Sequence, residues 1–417
     1  MKVIIAVKSV YPFHPYGGVQ KYVYYFAKHL AQKGINVEIV APLDQKGPRT
    51  EEYEGMKYTF LSPSIYKYLE YPIGWLGVHL FSYSLAKYLK NKDFDILHSF
   101  DLTGYQYSKQ KKRKPIIAHI FTDNYLCNPI GLSSVLDLTA VKFDKIKEKK
   151  ITISPFSDIS LKCKYITQYL FKIKPMYQYL SRAECIFCEA DVFAKEVAEV
   201  YHLNSDKFKV VPVGVDLGYI QQQLARGGLS RSDLGYSDSD FILITVNRLA
   251  ADKGIDKIIL ALNFLKQRYP QVRLIIIGAG YQEKEIYKII NENGLQNQVR
   301  HLKNIREEDL YQYYQISDAY ICAFSFPGSS ISTLEAMACS LPIITTAQAW
   351  LLRGRDNGIF LENNHPESIT KAVEELIQQG SLKSKKNVSA EVVKDFDWKL
   401  VTEKAVLEYK KVIKNHK

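Results

Sequence analysis

Phe241-Ile-Leu-Ile-Thr-Val-Asn-Arg248-Leu-Ala-Ala-Asp-Lys253-Gly254-Ile-Asp256 is an apolar run that passes through two cations into the start of a helix. The composition of its first six residues predicts a strand over Phe241–Val246, and the pattern beyond Gly254 predicts a helix over Lys257–Tyr269. In open α/β sheets, phosphate binds where a strand's carboxyl end leads into a helix amino terminus. Free backbone N–H groups and the helix dipole both point at the anion there. Arg248 is able to grip phosphate oxygens through two parallel hydrogen bonds, and Lys253 adds a compact point charge. Taken alone, such a pair reads more readily as an ordinary surface ion-pair loop. The sequence on either side decides between the two.

Downstream, the same rhythm continues. Strands are expected at Arg273–Ile277, Val299–Leu302, Ala319–Cys322 and Pro342–Thr345, with helices at Glu283–Asn293, Ser330–Cys339 and Pro366–Gln379 between them. Upstream, strands are expected at Val3–Val7, Val37–Val40, Ile96–His98, Ile116–His119, Ile151–Ser154, Cys185–Cys188 and Lys209–Val211. A helix follows Gly17-Gly18, where Val19, Tyr22, Val23, Phe26, Ala27 and Leu30 recur at helical spacing, and residues 62–88 and 161–180 read as helical, aromatic and basic. Steady alternation of strand and helix argues an α/β chain with parallel sheets covered by helices on both faces. The expected architecture is two doubly wound Rossmann-like domains, meeting near Val211-Pro-Val-Gly-Val-Asp216, with ligand in a cleft between carboxyl strand ends.

At 417 residues the chain exceeds what one core organises. Its charge is uneven: residues 1–182 carry a net +13 and the remainder −1, so the whole basic excess lies in the first half. Either an anionic partner binds there, such as membrane phospholipid, an acidic glycan or nucleic acid, or the face is merely soluble. The six cysteines have no framework spacing, and Met1-Lys2-Val3-Ile4-Ile5 reads as a strand rather than a secretory signal, which points to a reduced, cytoplasmic setting. Cys185-Ile-Phe-Cys188 falls in a strand, where positions i and i+3 face opposite sides, and this argues against a metal or redox pair. The most apolar stretch, Tyr71 to Ala86, is too short and too interrupted to span a bilayer.

Two further segments bear on chemistry. Ile275-Ile-Ile-Gly278-Ala-Gly280 is a strand ending in glycines, which is either a phosphate loop or a tight turn. Phe326-Pro-Gly328-Ser329-Ser330-Ile-Ser-Thr-Leu-Glu335 leads small residues into a helix bearing one carboxylate. Its amides and serines are candidate donors to diphosphate oxygens, and Glu335 is a suitable acceptor for two ribose hydroxyls, unless it is simply an exposed helix residue.

Together these stretches resemble the retaining glycosyltransferases of family 4, which have the two-domain GT-B fold, over nearly the whole chain. Gly17-Gly18-Val19-Gln20 is similar to the family's amino-terminal glycine loop, and Pro212-Val-Gly-Val-Asp216 to its Pro-Asn-Gly-Val-Asp linker, with Val213 in place of Asn. Arg248 and Lys253 match its Arg-x4-Lys diphosphate clamp. Gly278-Ala-Gly280 matches the loop after the next strand, and Glu335 through Pro342 the helix bearing the second Glu of its Glu-x7-Glu pair. Phe396-Asp-Trp398 through Tyr409 resembles its carboxyl-terminal helix. Two departures stand out: Pro327 occupies the place of the first Glu, and Phe121 the place of the family's first-domain His. His119, on the same strand face as Phe121, is the candidate substitute, with a structural histidine as the alternative. Asp123 and His98 are further candidates.

The resemblance implies an acceptor-binding domain over 1–213, a donor-binding domain over 214–395, and a helix from 396 to 417 packing back on the first. It implies transfer of a sugar from a nucleotide-diphosphate sugar to an acceptor hydroxyl with retention, in polysaccharide or glycolipid synthesis, without metal or other cofactor. Arg248, Lys253 and His119 would then be catalytic. Gly17, Gly18, Gly278, Gly280, Ile305, Gly328, Ser329, Ser330 and Glu335 would hold donor beside the two cations, and His98 and Asp123 would meet acceptor. The partners expected are the donor, a glycan or lipid-linked acceptor and an anionic membrane surface on its cytoplasmic face, not nucleic acid. Two other readings stay open: a sugar-nucleotide epimerase-like enzyme, and a partner subunit that binds nucleotide without turnover.

Overall fold

The structure is a computed structural model that describes residues 1–14, 17–42, 49–61, 74–121, 169–325, 330–346, 355–378, 380 and 382–416. It divides into two compact units, Met1–Pro212 with Val401–Lys417, and Val213–Leu400. The expected strand at Ile151–Ser154 lies outside the described residues, as do Asp123, Pro327, Gly328 and Ser329.

In the first unit the strands are β1 (Lys2–Ala6), β2 (Asn36–Pro42), β3 (Arg49–Tyr53), β4 (Met56–Leu61), β5 (Ile96–Phe100), β6 (Ile116–His119), β7 (Cys185–Cys188) and β8 (Phe208–Val210). They form one sheet in the order β3-β4-β2-β1-β5-β6-β7-β8, parallel throughout except for the β3–β4 hairpin. The central strands are buried along nearly their whole length, as a sheet covered on both faces requires. Its helices are α1 (Gly18–Gln32), α2 (Gly74–Leu89), α3 (Lys174–Arg182) and α4 (Asp191–Val200). Helix α1 stops because Gly34 takes φ +75°, where its amide reaches the Ala31 carbonyl and the Ile35 amide reaches Leu30. That double bond pattern with glycine in the left-handed region terminates helices without strain.

The β3–β4 hairpin was not expected from sequence. Glu54 and Gly55 take φ of 48° and 72°, the two successive positive angles of a tight turn whose twist suits a two-residue hairpin. Of the segments read as helical, residues 62–73 and 161–168 lie outside the described residues; α2 covers the rest of the first, and a wider turn over Tyr169–Ile173 followed by α3 the rest of the second. Cys185 and Cys188 are buried thiols in β7; burial pushes the Cys185 thiol up to about 12 and that of Cys188 further.

In the second unit β9 (Phe241–Val246), β10 (Val272–Ile277), β11 (Val299–Leu302), β12 (Ala319–Cys322), β13 (Ile343–Thr345) and β14 (Gly358–Phe360) pair in the order β11-β10-β9-β12-β13-β14, all parallel. The helices are α5 (Leu217–Arg226), α6 (Ile255–Leu265), α7 (Glu283–Glu292), α8 (Glu307–Ile316), α9 (Ile331–Ala338), α10 (Pro366–Gln378) and α11 (Leu382–Val392). Helix α6 starts two residues earlier than expected and ends at Leu265 rather than Tyr269. The Arg268 and Tyr269 amides both turn back to the Leu265 carbonyl, and Pro270 follows. The carboxyl-terminal helix α12 (Trp398–His416) begins in this unit, and its residues from Val401 belong to the first. Near its start, Val215 and Trp398 exchange backbone hydrogen bonds with Phe396 and Val215, and the Trp398 ring lies so close to Gly214 that a Cβ there would come within 2.4 Å of it.

Candidate functional site

Chain order reverses across the second sheet between β9 and β12: β10 and β11 build outward on one side, β13 and β14 on the other. The carboxyl ends of the two strands flanking such a point leave a crevice that loops and helices do not fill. Arg248 and Lys253 follow β9 at this place, and Phe324 and Ser325 follow β12.

Arg248 is exposed and its side chain has no carboxylate or hydrogen-bond partner among the described residues, whereas its carbonyl accepts from the Ala250 amide at 2.9 Å and Leu249 and Ala250 beside it are buried. Its backbone is therefore anchored while its guanidinium is left free. Lys253 is held differently. Its ammonium lies 4.4 Å from the centre of the Phe324 ring and 3.0 Å from Asp252, with 17% of the side chain exposed. An anion arriving here would compete with one carboxylate for one of the two cations. The Ser325 amide donates to the Asp252 carbonyl at 2.9 Å, so the loop after β12 and the turn bearing Lys253 move together.

Gly254 begins α6 at φ +63°, and a Cβ there would stand 2.1 Å from the Ala323 carbonyl oxygen. Only glycine lets the helix start so close to the end of β12. The first amides of α6 have no intrahelical acceptor and open beside the cations. Gly278 and Gly280 serve the same loop from the other side. A Cβ on Gly278 would meet the Asn247 carbonyl at 2.0 Å, and one on Gly280 the Leu249 carbonyl at 2.2 Å. The Leu249 amide donates to the Ala279 carbonyl at 3.0 Å and the Gln282 amide to the Leu249 carbonyl at 3.1 Å. These glycines lock the Arg248 loop by close backbone packing, a role that sequence reading left open beside phosphate contact.

Ile305, half-buried, follows β11 after Asn304, whose φ is +55°. Ser330 caps α9: its hydroxyl accepts from the Thr333 amide and lies 2.7 Å from the Ser332 hydroxyl. The Tyr320 hydroxyl lies 3.0 Å from Ser332 Oγ and accepts from the Asn247 amide group at 3.4 Å, tying β12, α9 and the Arg248 loop into one polar chain that sequence reading missed. Glu335 is only 3% exposed and accepts from the Tyr311 hydroxyl at 3.4 Å. It is not the exposed helix carboxylate that one reading allowed, and most of its surface is spent on neighbours within the unit.

In the first unit chain order reverses between β1 and β5, and the Gly17-Gly18 loop follows β1 there. Gly17 is extended at φ −164°, and a Cβ would meet Gln20 Oε1 at 2.5 Å; Gly18 is exposed with open space around its Cα. The amino end of α1 carries no acidic residue in its first turn, which leaves its amides to an incoming anion or sugar hydroxyl.

His98 and His119 do not reach any surface. Both are fully buried, and His98 Nε2 lies 3.0 Å from His119 Nδ1. Tyr22, Phe26, Phe100, Phe121, Phe187 and Tyr409 surround the pair. Burial holds the His98 imidazole down near about 3, and His119 is lowered by burial and by His98. The pair is neutral and structural in this conformation. The expectation that His98 touches acceptor and that His119 acts on substrate is corrected accordingly: the aromatic rings of α1 and β5 close over them. No group of three His, Cys, Asp or Glu residues suited to a metal occurs among the described residues.

Comparison with known proteins agrees with this geometry. Residues 16–219 match the family model described as Glycosyltransferase Family 4, and residues 229–392 match Glycosyl transferases group 1. An alpha-monoglucosyldiacylglycerol synthase from Acholeplasma laidlawii is 28% identical over 171 residues, 39% of this chain and 42% of that protein. The chain spans about half the length of the curated relatives it matches. Among solved structures, the sucrose-phosphate synthase of Thermosynechococcus elongatus aligns with a TM-score of 0.73 at 15% identity over 99% of both chains. The Anabaena HepE in complex with UDP aligns with a TM-score of 0.68 at 16% identity, over 99% of this chain and 100% of that one. These likenesses show the GT-B fold.

Proposed function

We propose, for a chain that belongs to the group 1 and family 4 glycosyltransferases, that it moves a hexose from a nucleotide-diphosphate sugar to an acceptor hydroxyl with the anomeric configuration retained. One observation carries this reading: Arg248 stands exposed and without a carboxylate at the chain reversal of the second sheet, beside Lys253 and the open amino end of α6.

The chemical demand is to stabilise negative charge on a departing diphosphate. Preorganised cations and amides at a fixed position meet it without rearranging during the reaction. Arg248 holds two oxygens at once, Lys253 neutralises a third, and the α6 amides complete the cradle. The second unit is thus the donor domain and the first the acceptor domain. In that scheme Ile305 lies against the base, Glu335 accepts from the ribose hydroxyls, and Gly17-Gly18 admits the donor's phosphate or sugar to backbone amides. No metal is required. UDP is the first nucleotide to test, because the Anabaena HepE structure holds it. The acceptor we favour is a glycan or lipid-linked glycan made at the cytoplasmic face of a membrane, a reading supported by the synthase relative named above and by the net +13 of residues 1–182.

Purified protein incubated with labelled UDP-glucose, GDP-mannose and related donors, with and without lipid-linked acceptors, tests the proposal. Acceptor-dependent release of nucleotide, with product of retained configuration by NMR, supports it. A second reading, a nucleotide-binding subunit without turnover, is motivated by Pro327 in place of a carboxylate and by the burial of Glu335. Tight nucleotide binding with no release under any acceptor would establish that reading instead.

A further inference from the structure

We propose that Tyr281 is a positioning residue of the diphosphate site: its hydroxyl pins the backbone between Arg248 and Lys253 and so sets where the Lys253 ammonium stands. This deepens the donor-binding reading proposed above and rests on it. The two cations flank one short segment. Leu249 and Ala250 are buried, and Ala251–Lys253 form a single tight turn before Gly254 opens α6. Inside it the Lys253 amide donates to the Ala250 carbonyl at 2.9 Å. A lone turn of this kind is soft unless its neighbours fasten it. From the β12 side, the Ser325 amide donates to the Asp252 carbonyl at 2.9 Å. From the β10 side, the Ala251 amide donates to the Tyr281 hydroxyl at 3.0 Å. The first bond joins backbone to backbone. The second depends on one oxygen atom of one side chain, and no other side chain bonds the backbone of residues 249–254 among the described residues.

The manner in which Tyr281 is held is unusual. A surface tyrosine ordinarily beds its ring in the protein and leaves its hydroxyl to water. Tyr281 is 77% exposed, yet its hydroxyl is engaged by backbone. Ordering an exposed ring for one hydrogen bond costs rotamer freedom, so the bond needs a fixed base to persist. The chain supplies one. A Cβ on Gly280 would stand 2.2 Å from the Leu249 carbonyl oxygen, and the Gln282 amide donates to that same oxygen at 3.1 Å. Both chain neighbours of Tyr281 are thereby seated against the Arg248 loop, and the side chain leaves from a backbone that is already part of that loop.

What the pin governs is charge placement. The Lys253 ammonium is shared between Asp252 at 3.0 Å and the Phe324 ring at 4.4 Å, so a small shift of the turn carries it toward the carboxylate or toward the crevice. The amides divide in the same way. That of Ala251 is taken by Tyr281, whereas those of Gly254, Ile255 and Asp256 donate to nothing among the described residues. Tyr281 thus holds the turn upstream of Lys253 and leaves the amides downstream of it to an anion. Fixed cations and amides stabilise developing negative charge because they need no rearrangement when it appears. Displacing such a group by a small distance loses much of that benefit.

Calorimetric titration of the full chain with UDP, GDP, ADP and inorganic pyrophosphate identifies the probe that binds most tightly. Tyr281→Phe keeps the ring and removes the oxygen, and its affinity for that probe should fall about three- to tenfold, the scale of one hydrogen bond. In a Lys253→Ala background the same change should matter by less than about twofold, because the pin acts through that lysine. Hydrogen exchange in the segment 249–254 should quicken in Tyr281→Phe while the denaturation midpoint stays at the parent value. Tyr269→Phe removes a hydroxyl that Gln378 bonds at 2.6 Å, beyond the carboxyl end of α6, and should bind the probe as the parent does. Tyr281→Phe with the parent's affinity would overturn the proposal; if Tyr281→Ala then lost binding, the ring rather than the hydroxyl would serve the ligand. Equal losses from Tyr281→Phe with and without Lys253 would overturn it too. In both cases the donor reading stands. A parent chain that bound none of the four probes would overturn that reading and this proposal together.

Discussion

His98 Nε2 lies 3.0 Å from His119 Nδ1 with the two imidazole planes within 5° of parallel, and the far nitrogen of His98 is bonded to the hydroxyl of Tyr409. Two rings in a line share one direction of donation. If Tyr409 donates to His98, then His98 donates to His119, and His119 carries its hydrogen on Nε2, which has no partner among the described residues. Either direction keeps both rings neutral, and this has a measurable cost in acid.

Both histidines have depressed folded values against an ordinary 6.5. Below pH about 6.5 the unfolded chain binds protons that the folded chain does not, so their contribution is present above that pH and is lost as the pH falls toward the folded value. The slope is about 1.4 kcal/mol per pH unit for each ring. Denaturant melts should therefore show the first unit losing on the order of 4 kcal/mol between pH 6.5 and pH 5 from these two groups. His119→Phe should remove about half of that acid slope. Stability that stays flat across this range would contradict the burial of the pair.

Tyr409→Phe keeps the ring and removes only the hydroxyl that meets His98. A buried ring nitrogen is then left unmatched, and we expect a loss of about 1–3 kcal/mol in unfolding free energy. Tyr409→Ala should cost more, about 3–5 kcal/mol, because a cavity is added. Chemical denaturation of both variants at pH 7.5 gives the difference.

Arg248→Ala should separate folding from chemistry. The side chain touches no described partner, so stability should change by less than about 0.5 kcal/mol. Nucleotide release should fall by about 10²- to 10³-fold, the scale of losing one donor to developing charge. Arg248→Lys should recover only part, because a point charge cannot grip two oxygens. Turnover of Arg248→Ala at the parent rate would remove this residue from the mechanism.

Gly254→Ala places a Cβ against the Ala323 carbonyl and puts an L-residue at φ +63°. A loss of at least about 2 kcal/mol is expected, from backbone strain plus the shift needed to relieve contact. Calorimetric and nucleotide-binding measurements should move together, since the amide cradle and the strand end share that contact. A variant with parent stability would show that the helix start is not tight there.

Chelation should leave the rate untouched. If Arg248, Lys253 and helix amides supply the positive charge, turnover in excess EDTA should equal that without it. A loss of activity that divalent cation restores would require an ion in the diphosphate cradle.

Much of the second unit's Arg248 loop was legible in sequence because its signals are local. A β-rich run, a glycine needing a left-handed angle and a helix start lie within sixteen residues. The β3–β4 hairpin was missed because β3 is polar and lies on an exposed sheet edge, so alternation gave little. The Glu54-Gly55 pair was the available signal for its turn. Glu335 was readable as a helix carboxylate but not as one covered by Tyr311, which comes from another helix 24 positions earlier. His98 and His119 sit at strand ends in the sequence, where reactive groups often lie; their enclosure depends on Tyr409, 311 positions beyond His98. No periodicity reports a contact of that span.

That span also sets an order of events during synthesis. Residues 1–212 leave the ribosome before the second unit, yet their core has a seat that only the chain after Val401 can occupy. Until Tyr409 has been synthesised, the nascent first unit holds its imidazole pair behind an unfilled face. The second unit is drawn from the continuous stretch Val213–Leu400 and is therefore synthesised before the segment that completes the first. The first unit thus closes only after the whole of the second has been synthesised.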